Sequence, residues 1–127
     1  MGAARGSGVE WIVEACACEP AVLRDRTRLD RLFRSLAEEI GLHGVGEPIW
    51  HRFPRTGGLT GAWILSESHL ACHTFPEHGG FCLNLFTCSP RPEIDWEARL
   101  RFLGPNASIR VRRIHRRYAL LTARTPC

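Results

Sequence analysis

Between residues 49 and 87 the chain carries four short β-rich runs, with no room between them for a crossover helix. The runs are 49–53, 60–65, 69–74 and 81–87. Pro54 and the Gly57-Gly58 pair punctuate the first gap, and Gly79-Gly80 the last. Parallel neighbours need a connection of about a dozen residues or more, so gaps this short predict antiparallel pairing. The run at 81–87 is apolar at Phe81, Leu83, Leu85 and Phe86, as a buried strand would be.

Flanking segments complete the expectation. Residues 10–18 alternate and read as a first strand, closed by Glu19-Pro20. Leu23, Leu29, Leu32, Phe33, Leu36, Ala37 and Ile40 recur at helical spacing and predict one amphipathic helix, stopped by Gly41 or Gly44. Pro90 and Pro92 lead into a second helix over about 93–103, with Trp96, Leu100 and Leu103 on one face. Residues 107–121 predict a final strand or strand pair. The order β-α-β-β-β-β-α-β gives an α+β sandwich, a mostly antiparallel sheet with two helices packed on one face. The other face then needs cover, which a homodimer stacking two sheets supplies. A chain of 127 residues, 44% hydrophobic, is one domain with one core. Residues 1–9 are expected to be a flexible start, and 10–127 the domain.

Composition excludes several chemistries. All 17 basic residues are arginine. Without lysine the chain can neither anchor pyridoxal phosphate nor form an imine with a carbonyl substrate. An enzyme of this kind acting on amines must supply the carbonyl itself. No run of about eighteen apolar residues offers a membrane span. The start lacks a signal-peptide core, so a cytoplasmic protein is expected. The six cysteines (Cys16, Cys18, Cys72, Cys82, Cys88 and Cys127) include no C-x-x-C pair, so free thiols are expected and no metal site. Cys16, Cys18, Cys72 and Cys82 are expected in the core. Net charge is +4. Arg110, Arg112, Arg113, Arg116 and Arg117 read as an edge strand guarded by charge, with no nucleic-acid partner expected.

The densest chemistry lies at Ser66-Glu67-Ser68-His69-Leu70-Ala71-Cys72-His73-Thr74-Phe75-Pro76-Glu77-His78. Hydroxyls, imidazoles, a thiol and carboxylates share thirteen residues. A serine directly after a carboxylate residue can attack the peptide bond that precedes it, and self-cleavage there can turn the serine into a pyruvoyl group.

These residues, followed by Phe86-Thr87-Cys88 and preceded by Cys16, Cys18 and His51-Arg52-Phe53, resemble the prokaryotic S-adenosylmethionine decarboxylase proenzyme family over roughly residues 10–115. The resemblance implies cleavage between Glu67 and Ser68, giving chains 1–67 and 68–127, with a pyruvoyl cofactor made from Ser68. It implies His73 and Thr60 as processing residues; the family more often has serine at the latter. It implies Cys88 as the proton donor to the decarboxylated substrate. Phe53 and Glu77 match an adenine-stacking aromatic and a ribose-binding carboxylate, and Glu67 is a further substrate contact. The implied product is the aminopropyl donor for spermidine, made by a homodimer of cleaved protomers. Asn84, Ser89, His78 and Gly80 depart from the family pattern near where substrate is selected. A pyruvoyl-dependent arginine or ornithine decarboxylase, or a relative that no longer cleaves, therefore stays open at this point.

Overall fold

A computed structural model describes residues 6–119. The elements are β1 (Ser7–Cys16), α1 (Pro20–Leu23), α2 (Arg26–Ile40), β2 (Ile49–Arg52), β3 (Leu59–Leu65), β4 (Ser68–Phe75), β5 (Gly80–Thr87), α3 (Trp96–Leu100) with a 3-10 turn at Arg101–Leu103, and β6 (Ser108–Arg117). The six strands form one sheet in the order β2-β3-β4-β5-β1-β6. Every neighbouring pair is antiparallel, as the short connections predicted.

Strand alternation divides the sheet into two faces. Val9, Trp11, Val13 and Ala15 of β1 are buried, as are Leu70 and Cys72 of β4 and Phe81, Leu83 and Leu85 of β5. They form one core with Leu29, Leu32, Phe33, Leu36 and Ile40 of α2 and Trp96 and Leu100 of α3. The helices therefore cover this face. The opposite face carries Glu10, Ile12 and Glu14 of β1, His69 and His73 of β4, and Cys82, Asn84 and Phe86 of β5. Ile49 and Ile64, 75% and 62% exposed, lie on it too and leave it uncovered in the single chain.

Several boundaries move. Ser7 and Val9 are buried in β1, so the looseness expected of residues 1–9 does not hold for 7–9; residues 1–5 lie outside the described part. Gly8 admits this pairing, because a Cβ there would lie 1.9 Å from the carbonyl oxygen of Thr87. β1 stops at Cys16 rather than Cys18, because Ala17 turns at φ 57°. Cys18 is thereby sent into the core while Cys16 stays exposed. The single predicted first helix is two, since Asp25 caps α2 by accepting the Arg28 N–H at 3.2 Å. Asp95 likewise accepts from Ala98 N–H, so the second helix begins at Trp96 rather than near 93. β6 is a single edge strand ending at Arg117. Three of its arginines pair with acids: Arg112 with Glu14, Arg113 with Glu93 and Arg116 with Glu10.

One buried polar bridge ties the layers together. Thr74 Oγ1 donates to the Leu23 carbonyl at 2.7 Å and accepts the Leu59 N–H at 2.8 Å, with Thr74 fully buried. Thr74→Val keeps the shape and orphans both backbone partners, which is expected to destabilise the fold by about 3 kcal/mol. A urea titration should show a lower midpoint at an unchanged slope.

Candidate active site

The predicted site residues gather in two groups at opposite ends of β4. Ser66 and Glu67 form the two-residue turn that joins β3 to β4, closed by the Leu65–Ser68 pair. The Glu67–Ser68 peptide bond thus lies at a sheet end, with Glu67 exposed and Ser68 only 9% exposed. The Glu67 carbonyl accepts the Cys88 N–H at 2.9 Å. Ser68 Oγ donates to the Phe86 carbonyl at 2.5 Å. Register explains the meeting: Ser68 pairs with Thr87, which brings the Phe-Thr-Cys run alongside the turn. An amide N–H on the carbonyl oxygen stabilises the charge that develops there when the carbonyl carbon is attacked.

The second group lies at the other end. Thr60 and His73 are directly opposite on β3 and β4, and Thr60 Oγ1 meets His73 Nδ1 at 2.8 Å. Phe53 follows β2 and stands edge-on to His51, with ring centroids 5.9 Å apart. Glu77 is exposed in the turn after β4, and Pro76 of that turn lies, like Phe53, close against Gly58. A cavity of about 410 Å³ opens on the uncovered face next to His73, lined by Phe75, Cys82, Glu14 and Arg110 among others. Larger clefts flank α2 and touch none of these residues.

Ser68 and His73 do not meet in one chain. Five residues of extended strand separate them by roughly 16 Å, and the odd offset puts their side chains on opposite faces. The chain groups Glu67, Ser68 and Cys88 at one end, and Phe53, Thr60, His73 and Glu77 at the other.

The thiols differ. Burial pushes Cys72 up to about 12 and Cys18 up to about 11, so both stay neutral and inert near neutral pH. Cys88 is exposed beside the turn. Cys16 and Cys82, expected in the core, are exposed instead, because strand alternation places both on the uncovered face. All five described cysteines are free; Cys127 lies outside the described residues.

Some neighbours of the turn carry no sequence signal. Tyr118 donates its hydroxyl to the Cys88 carbonyl at 2.6 Å, across thirty positions of sequence. His69 stacks on Phe86, with centroids 5.6 Å apart, and the Arg116 guanidinium lies 5.4 Å from the same ring. Glu10 holds Arg116 at 2.5 Å and accepts from Asn84 at 3.1 Å. Arg91 reaches to within 3.8 Å of the Glu67 carboxylate. Among the described residues no cluster of three or more His, Cys, Asp or Glu side chains is placed to hold a metal ion.

A six-stranded antiparallel sheet with helices on one face, and a serine turn held by a backbone amide at the sheet's end, defines a class of α+β protein built around one tight hairpin. The family model for S-adenosylmethionine decarboxylase matches residues 9–117, and the chain belongs to that family. The S-adenosylmethionine decarboxylase proenzyme of Thermococcus gammatolerans is 34% identical over 86 residues, covering 68% of this chain and 59% of that protein. Its counterpart in Thermococcus kodakarensis is 33% identical over 93 residues, covering 70% of this chain and 64% of that protein. The chain thus spans somewhat under two thirds of these two relatives. S-adenosylmethionine decarboxylase proenzyme 1 of Bacillus cereus is 35% identical over 103 residues, covering 81% of this chain and 78% of that protein. The crystal structure of the adenosylmethionine decarboxylase from Aquifex aeolicus superposes with a TM-score of 0.66 over 98% of this chain and all of that one, at 18% identity, which speaks to the fold.

Proposed function

We propose that this chain is a self-processing proenzyme whose mature form is a pyruvoyl-dependent S-adenosylmethionine decarboxylase. The observation that carries the reading is the turn itself: Ser68 follows a carbonyl already held by the Cys88 N–H. Ser68 Oγ adds to the Glu67 carbonyl carbon while its proton leaves toward a base. The C–N bond breaks and an ester joins residues 67 and 68. Elimination then breaks the ester's Cβ–O bond, releases Glu67 as a new C-terminus and leaves dehydroalanine, whose hydrolysis releases ammonia and gives the pyruvoyl group at position 68. These residues fit that group, since the serine, its carboxylate neighbour and the amide donor are all in place. Bound substrate would find in it an electron sink for the carbon dioxide-releasing step.

The other roles are those that the family resemblance implies. Cys88, exposed beside residue 68, returns a proton to the substrate carbon. His73, held by Thr60, serves processing as the base. Phe53 stacks on adenine, Glu77 accepts the ribose hydroxyls, and Glu67 meets the substrate's cationic part.

His73 cannot serve Ser68 of its own chain, which supports a homodimer. A two-fold stacking of the uncovered faces, with strands running opposite ways, carries the His73 end of each β4 to the Glu67–Ser68 turn of the other. Ser68 itself faces the helices, so the turn must swing the serine toward the interface for the partner's imidazole to reach it. It also covers Ile49 and Ile64. The free thiols suit a reducing compartment such as the cytoplasm. No described helix is long and apolar enough to cross a membrane.

Carbon dioxide release is the test. S-adenosylmethionine should turn over, and free arginine and ornithine should not. Cys88→Ala should still cleave itself yet lose about 10²–10⁴-fold in turnover, the usual contribution of a positioned proton donor. Turnover of a free amino acid instead would move the assignment to that substrate.

A further inference from the structure

We propose that Arg91 receives the carboxylate released from Glu67 during maturation and so promotes the elimination step. This rests on the self-cleavage reading above. Arg91 lies between β5 and α3, three residues past Cys88. Its Nη1 donates to the carbonyl of Ile40, the last residue of α2, at 3.3 Å. Its Nη2 stands 3.8 Å from Glu67 Oε1, an ion pair too long for a hydrogen bond. Its Nε is buried and has no acceptor among the described residues. A guanidinium has five donors in a fixed plane, suited to a two-pronged hold on a carboxylate, and here most are unused.

Cleavage supplies what is missing. In the precursor Glu67 offers one carboxylate, on its side chain. In the elimination, the Cα proton of residue 68 passes to the imidazole of the partner subunit's His73 and the Cβ–O bond breaks. The electron pair leaves with Glu67 as its α-carboxylate, so Glu67 then carries two carboxylates, its side chain already 3.8 Å from this underused cation and the new one on the same residue. A guanidinium paired with the leaving carboxylate stabilises it as it forms and withholds it from re-forming the ester. The Ile40 carbonyl fixes the guanidinium beforehand, so little reorganisation is needed. Arg91 acts here on the leaving group, not on substrate.

The test follows maturation of the purified full chain by intact mass, with and without hydroxylamine, in wild type, Arg91→Lys and Arg91→Met. Hydroxylamine cuts an ester at position 67 and leaves residue 68 as serine, so it counts chains halted before elimination. The wild type should yield the pyruvoyl fragment. Arg91→Met should form it about 100-fold more slowly, the order expected for losing a charge-assisted pair with a leaving anion, while hydroxylamine-sensitive ester accumulates. Arg91→Lys should fall between the two. Pyruvoyl forming in Arg91→Met at the wild-type rate would overturn the proposal. So would slow maturation without ester and with a lowered melting temperature, which would mark Arg91 as a loop anchor only. A wild-type chain that stays uncut would sink the self-cleavage reading, and with it any carboxylate for Arg91 to receive.

Discussion

Ser68→Ala is expected to leave one uncut chain, with no pyruvoyl fragment and decarboxylation reduced at least about 10⁴-fold, because the group that carries the chemistry is never made. The fold should survive. Ser68 makes one side-chain hydrogen bond, to the Phe86 carbonyl, and alanine fits the same space with no new buried donor. Losing such a bond costs about 1 kcal/mol, which for a domain of this size moves the melting temperature by only a few degrees. Intact mass and a thermal melt on the same sample therefore separate a chemical defect from a folding defect. A Ser68→Ala chain that still splits between residues 67 and 68 would show that another nucleophile does the work.

The second large effect concerns how the two residue groups are joined. Ser68 and His73 lie at opposite ends of β4 and on opposite faces, so with His73 as the proposed base neither chain of the proposed pair processes itself unaided. Ser68→Ala and His73→Ala should each stay uncut alone. Co-expressed and allowed to pair, they should regain cleavage at one site per mixed dimer, and only the chain bearing His73→Ala should be cut. That chain keeps Ser68, and its partner supplies the imidazole. About half the mixed dimers' chains would thus mature, against essentially none in either parent, a contrast as large as the loss of a catalytic base itself. Mixed dimers that stay wholly uncut, with pairing verified by mass, would place the processing base within the serine's own chain. Thr60 should follow His73, since its hydroxyl holds the imidazole at 2.8 Å.

The sheet was legible where alternation and tight turns coincided. Residues 59–87 alternate cleanly between buried and exposed along each strand, and their short gaps leave only antiparallel pairing. The helices were less legible because their starts are set by capping. Asp25 and Asp95 each satisfy an orphan N–H and begin a helix one residue later, whereas apolar spacing alone runs through both points. At the start of β1, a Gly-Ser run that reads as loose is instead paired with Arg117 on one side and abuts the end of β5 on the other, so tertiary pairing overrides local propensity. Ala17 turning left-handed has no sequence mark at all, and it decides that Cys18 is buried instead of continuing on the uncovered face with Cys16.

The site divides in the same way. Ser68, Cys88, His73, Thr60, Phe53 and Glu77 were legible as types at spacings, and the resemblance gave them roles. Their separation into two ends of a strand was also implicit, because an offset of five residues in a strand flips the face. Tyr118 on the Cys88 carbonyl and Arg91 beside Glu67 were not legible. Tyr118 reaches the turn from beyond β6 and Arg91 from the loop after β5, and an isolated tyrosine or arginine in a loop or strand end carries no pattern that distinguishes it from a surface residue.

The most direct measurement is the intact mass of the purified wild-type chain under denaturing conditions. Self-processing predicts two species that meet between Glu67 and Ser68, the second beginning with pyruvoyl in place of serine. A single species at 14.3 kDa, persisting after prolonged incubation, would contradict it.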